Sequence, residues 1–180
     1  MTMILDGSAG VTFPNSTVQA SAGQVLQVVS ATKTDTFSTT STSFTDITGL
    51  SVSITPKFST SKILVIFNTY TSANQNSSSA AIRLLRNSTA IDVGDAASTR
   101  PQASGIFYTG DVSVSVQASI GVVSNNFLDS PATTSATTYK LQMLSSAGIT
   151  MYVNRNSVDR DSTTYDARTA SSITVMEIAG

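Results

Sequence analysis

Apolar and hydroxyl-bearing residues alternate along much of this chain, and that period of two constrains its fold more than any other feature. In Leu50-Ser51-Val52-Ser53-Ile54-Thr55 every second residue is apolar. Tyr139, Leu141 and Met143 repeat the pattern, and Val112, Val114, Val116, Ala118, Ile120 and Val122 carry it over the longest stretch. Successive side chains of a strand point to opposite faces, so these segments read as strands with one face buried and one wet. Residues 79–86 could be helical by propensity alone. Their place before a turn and a short following strand assigns them to a hairpin instead.

Turn residues punctuate the strands. Asn87-Ser88 separates 81–86 from 89–93, and Asn tolerates the positive φ of a tight turn. Ser146-Ala147-Gly148 separates 139–145 from 149–154 and fits a hairpin closed by a left-handed residue. Pro14, Pro56, Pro101 and Pro131 all fall between strand candidates. About eight or nine strands fit between residues 24 and 178, which implies a sandwich or jelly roll. Residues 1–23 differ: small, polar, and interrupted by Gly7, Gly10, Pro14 and Gly23. The expected organisation is an extended N-terminal arm, 1–23, and a β-sandwich jelly-roll head, 24–180.

Composition narrows the function. Charged residues make up 12 % of the chain and the net charge is −1, without any run of Lys or Arg, so a nucleic-acid partner is not expected. No apolar stretch approaches the roughly 18 residues of a membrane helix, and the first residues lack the basic-then-apolar order of a secretory signal. Ser and Thr fill roughly a third of the chain, a neutral, hydroxyl-rich surface chemistry.

Catalysis has few candidates. The chain has no His and no Cys, which removes the usual general base and the best nucleophile. Asp159 and Asp161 share a face if their segment is extended, but a solvated loop is the expectation. The stretch Asn154–Asp161 lacks calcium-loop spacing, and Arg155 and Arg160 oppose a cation. The chain is therefore expected to be no enzyme and to need no metal or cofactor.

One strand departs from the alternation. Ile63, Val65 and Phe67 point one way and Leu64, Ile66 and Tyr70 the other, all of them apolar or aromatic. A strand apolar on both faces needs two covers. One is the core; the other is a neighbouring subunit or the chain's own loops. The subunit is the favoured cover, which makes Leu64, Ile66 and Tyr70 trimer-interface candidates.

Two segments resemble known proteins. Gly10-Val11-Thr12-Phe13-Pro14-Asn15-Ser16-Thr17-Val18-Gln19 resembles a short motif of tail-fibre and other structural proteins of tailed phages, marine and cyanobacterial ones above all. A longer stretch, about 24–100, looks like a module of marine phage virion proteins. It includes Gln24-Val25-Leu26-Gln27-Val28-Val29, Thr45-Asp46-Ile47-Thr48-Gly49-Leu50, and Ser61-Lys62-Ile63-Leu64-Val65. The order Ile82-Arg83-Leu84-Leu85-Arg86-Asn87, Ala103-Ser104-Gly105, Gly110-Asp111 is similar to the trimeric jelly-roll heads of complement and tumour-necrosis-factor type.

The resemblances imply a homotrimeric virion protein, assembled in a bacterial cytoplasm. It would be held to other virion proteins by Val11, Phe13, Pro14 and Val18 of the arm. As a tail fibre or fibre tip it would meet a host glycan or protein. As a head decoration, cement or head-fibre trimer it would brace or ornament the capsid. Receptor-contact candidates are Asn154, Arg155, Asp159, Arg160 and Tyr165, which gather charge and an aromatic ring in a charge-poor chain. Tyr152 and the 72–79 loop, with Asn74, Gln75 and Asn76, are further candidates.

Overall fold

The computed structural model describes residues 4–6, 10–12, 18–19, 23–110, 119–164 and 166–180, with side chains from residue 23 onward. Within the first 22 residues three short strands pair antiparallel in a meander: β1 (Ile4–Asp6), β2 (Gly10–Thr12) and β3 (Val18–Gln19). The described part of the arm therefore folds back on itself, where one extended line was expected.

The head is all-β. One sheet is built from β4 (Val25–Lys33), β5 (Phe37–Thr39), β7 (Lys62–Ala73), β11 (Gly121–Asp129), β13 (Met151–Val153) and β14 (Ser171–Ile178). β11 runs along one side of β7, and β14 and β13 share its other side end to end. Beyond them lie β4 against β14 and β5 against β13. The opposing sheet has the order β10 (Gly105–Tyr108), β8 (Ser79–Arg86), β12 (Thr137–Ser145), β6 (Thr45–Ile54), with β9 (Thr89–Ile91) also on β8. Taken as eight lines in chain order, the first sheet holds the first, eighth, third and sixth. The second holds the second, seventh, fourth and fifth. This alternation between two antiparallel sheets is the jelly roll the sequence pattern implied.

The core follows the period of two. Ile63, Val65 and Phe67 of β7 meet Leu50, Val52 and Ile54 of β6 and Tyr139, Leu141 and Met143 of β12, all 5 % exposed or less. In β6 the alternation skips a beat: Ile47 and Leu50 both face inward, because Gly49 adopts φ +89° beside an irregularity in the pairing with β12. Residues 47–50 fall opposite Leu141 alone, and this irregularity lets both Ile47 and Leu50 face inward.

Two turn expectations fared differently. Asn87 has φ +54° and closes the β8–β9 hairpin, with Arg86 opposite Thr89. Ala147 and Gly148 are left-handed, as expected after β12, but the turn Ser146–Gly148 joins strands of different sheets and makes no hairpin.

A third expectation is corrected at Val122. Of the predicted strand 112–123, residues 111–118 lie outside the described residues, and 119–120 are not in a strand. β11 starts at Gly121 with its own phase: Val123 is 6 % exposed and inward, Val122 54 % exposed and outward. The break at 119–120 explains why the alternation upstream does not carry through.

Candidate functional site

The two outer faces of the sandwich have opposite chemistry. On the β6–β12–β8 face, Asp46 accepts from Lys140 Nζ at 2.7 Å and from Gln142 Nε2 at 2.6 Å. Arg83 Nη2 donates to Gln142 at 2.7 Å, and its guanidinium lies 3.8 Å over the Phe44 ring. The hydrogen bond from Lys140 is the main cause that holds the Asp46 carboxyl below its usual pKa. This is a solvated, charged face.

The β4–β14–β7–β11 face carries no charged side chain between its first and last rows. Register places Val28, Met176, Leu64 and Leu128 side by side across four strands. The next row reads Ser30, Thr174, Ile66, Asn126, and the next Thr32, Ser172, Asn68, Ser124. Val122 stands beside Tyr70 beyond them, and Lys62 marks the lower border. Val28, Ile66, Val122 and Leu128 are 54, 40, 54 and 51 % exposed. Within this face the buried Oδ1 of Asn68 has no partner among the described residues, while its Nδ2 donates to Ser172. Exposed apolar side chains without charge, on one continuous surface, are the composition of an interface centre. Leu64, Ile66 and Tyr70, expected from sequence, all lie on this face. Val28, Met176 and Leu128 were missed; each holds an outward position of its own strand, and only the register joins them.

The second feature interrupts the first sheet. Between β13 and β14 the chain leaves the sheet for residues 154–170. Asn154 starts the excursion with φ +64°. It is fully buried: Nδ2 donates to the carbonyls of Lys33 and Asp35, and Oδ1 accepts from Ser171. Its carboxamide thus stitches the broken strand line to β4, and this buried, committed side chain is removed from the receptor-contact set. Asn156, also buried, accepts from the Asp159 N–H at 2.7 Å and donates to Asp166. Ser72 donates to the Arg155 carbonyl at 2.7 Å, so the excursion covers the upper end of β7.

The charged residues of the excursion other than Asp161 pair among themselves. Asp159 bridges Arg155 and Arg168 at 2.8 Å each, and Asp166 accepts from Arg160 Nε at 2.6 Å. The Arg160 bond, then the Asn156 bond, hold the Asp166 carboxyl below its usual range. Arg155 also stacks on Tyr152, 4.2 Å from the ring centroid. The structure joins Arg155 and Asp159 in one ion pair and Arg160 to Asp166 in another on the same loop. Tyr165 lies outside the described residues. Among the arm candidates, Val11 is on β2 and Val18 on β3, while Phe13 and Pro14 lie outside the described residues. Among the described residues no group of His, Cys, Asp or Glu is placed to hold a metal ion.

No family model and no curated protein matches the chain. Among solved structures, a similar chain is found in the structure of infectious bursal disease virus Gt strain. The identity is 14 % and the TM-score 0.44, and the likeness covers 85 % of this chain and 42 % of that one.

Proposed function

We propose that this chain is a non-enzymatic structural protein of a tailed-phage virion, working as a homotrimeric tail fibre or fibre tip in host-surface attachment. The observation that carries the reading is the uncharged face across β4, β14, β7 and β11. Its in-register row Val28–Met176–Leu64–Leu128 is costly to leave in water and has no charge to desolvate on association. The covering surface in this reading is another copy of the chain, and three copies close the ring.

The ends of the head suit a fibre. Gly23 and Gln24 pair through backbone bonds with Ala179, so the arm leaves beside the Lys62 end of β7. The charged excursion sits by the Thr71–Ala73 end. β7 spans roughly 40 Å at 3.3 Å per residue, so Gly23, where the head begins, lies well apart from the loop along the head. The arm's likeness to phage tail-fibre segments supplies the virion context.

Sedimentation of purified protein tests the assembly: a mass of three chains of 18.7 kDa is expected, and a monomer at micromolar concentration overturns it. Antibody labelling of virions in electron micrographs tests the location. Label at the tail is expected; label spread over the head replaces the fibre with a capsid decoration or cement trimer.

A further inference from the structure

On the excursion, Asp159, Arg160, Asp161, Asp166 and Arg168 line a solvent-open depression of about 380 Å³, with Ser162 and Thr163 at its side. That volume lies within the roughly 300–1,000 Å³ of ligand pockets. We propose that it is a carbohydrate site that takes an uncharged hexose unit by a vicinal pair of hydroxyls. The inference rests on the host-attachment reading and names the ligand class.

The lining chemistry selects that class. An anionic ligand meets three carboxylates against two guanidiniums, and both guanidiniums are already engaged, Arg160 by Asp166 and Arg168 by Asp159. An apolar ligand finds only Ala167. A hydroxyl pair fits better. The exposed Asp161 carboxylate, which makes no hydrogen bond or ion pair with the described residues, accepts two O–H groups. Arg168 uses a single nitrogen, Nη2, on Asp159 and has other N–H groups for hydroxyl oxygens. Pinning by buried Asn154 and Asn156 fixes the loop before any ligand arrives, which reduces the ordering cost of binding.

Saturation-transfer NMR on the full-length protein, with the methyl glycosides of glucose, galactose, mannose and N-acetylglucosamine as probes, tests the site. Saturable transfer to at least one glycoside is expected, with an affinity of roughly millimolar order. Asp161→Ala should weaken it at least about tenfold, because charge-assisted hydrogen bonds are the strong ones, with sedimentation unchanged. Asp95→Ala, at an exposed position outside the loop, should leave it intact. No transfer from any glycoside, or equal transfer in Asp161→Ala, overturns the site. Periodate, which cleaves vicinal diols on the cell surface, separates the two readings. If the protein adsorbs equally to untreated and oxidised host cells, attachment stands and the diol site falls. If it adsorbs to neither, yet glycoside binding is lost in Asp161→Ala, the site stands and attachment falls.

Discussion

The phenol of Tyr139 donates to the Asp129 carboxylate at 2.7 Å across the gap between the two sheets, and Arg86 closes on the same carboxylate from β8 at 2.7 Å. Tyr139 is fully buried and the Asp129 side chain nearly so. Burial first, then the bond to Asp129, push the phenol's pKa far above its ordinary value, so it remains a donor throughout the pH range of folding. This contact locks β11 of one sheet to β12 of the other. Tyr139→Phe keeps the ring but leaves a buried carboxylate oxygen short of a donor, at a cost of about 1–3 kcal/mol. Chemical denaturation should show that loss. A change within about 0.5 kcal/mol, the range of a neutral surface substitution, would mean the bond does not form.

Glu177 gives the fold a pH limit. It is fully buried near the end of β14 and ties down the segment after β6. Burial raises its pKa, but hydrogen bonds from Gln27 Nε2 and the Lys57 N–H outweigh it, and the net direction is below 4.5. A folded pKa below the unfolded value means that the unfolded chain binds more protons on acidification. The contribution is therefore complete above the ordinary pKa and is lost as pH falls through the lower, folded one. Melting temperature should decline on acidification below about pH 4.5, where the unfolded carboxylate begins to protonate. In Glu177→Gln that decline should be shallower from a lower starting stability.

Two glycines let the sheets close at the β10–β11 edge. A Cβ on Gly121 would meet the Phe107 ring at 2.5 Å, and one on Gly105 would meet Val123 Cγ1 at 2.5 Å. Gly121→Ala should cost about 1–3 kcal/mol by overpacking. Gly121→Ala combined with Phe107→Leu should recover part of it, as read by thermal melting. An additive double mutant would show that the contact does not limit the edge.

Much of this architecture was legible because a strand's period is short and local. Leu50, Val52 and Ile54, and Tyr139, Leu141 and Met143, declare their inward face without reference to anything else. Phase fails wherever the chain leaves the strand, which is why Val122 was placed inward although β11 restarts at Gly121 with Val123 inside. Partners across strands are also invisible in sequence: Leu64 was suspected, but Val28, Met176 and Leu128 join it only through register. Asn154 misled for a different reason. A polar residue opening a charged loop reads as exposed, whereas here it replaces the hydrogen bonds that the broken β13–β14 line gives up.

The last prediction separates core from interface on a single strand. Ile66 and Phe67 are neighbours on β7 and point to opposite faces: Phe67 is 1 % exposed in the core, Ile66 40 % exposed in the uncharged outer face. The sequence alone makes Asp at either position severely disruptive. The structure divides the two. Phe67→Asp places a carboxylate among Val65, Leu141 and other core side chains with no cation to pair it, which should cost more than about 4 kcal/mol and yield unfolded or insoluble chain. Ile66→Asp adds its charge beside Thr174 and Asn126, where water reaches it in a single copy. The domain should then fold, with far-ultraviolet circular dichroism like that of the parent. In a trimer the same charge would be buried three times over around the axis, without partners. Sedimentation should therefore find Ile66→Asp as a folded monomer. A folded Ile66→Asp trimer would move the interface off this face, and an unfolded Ile66→Asp would mean that the face is already covered within one chain.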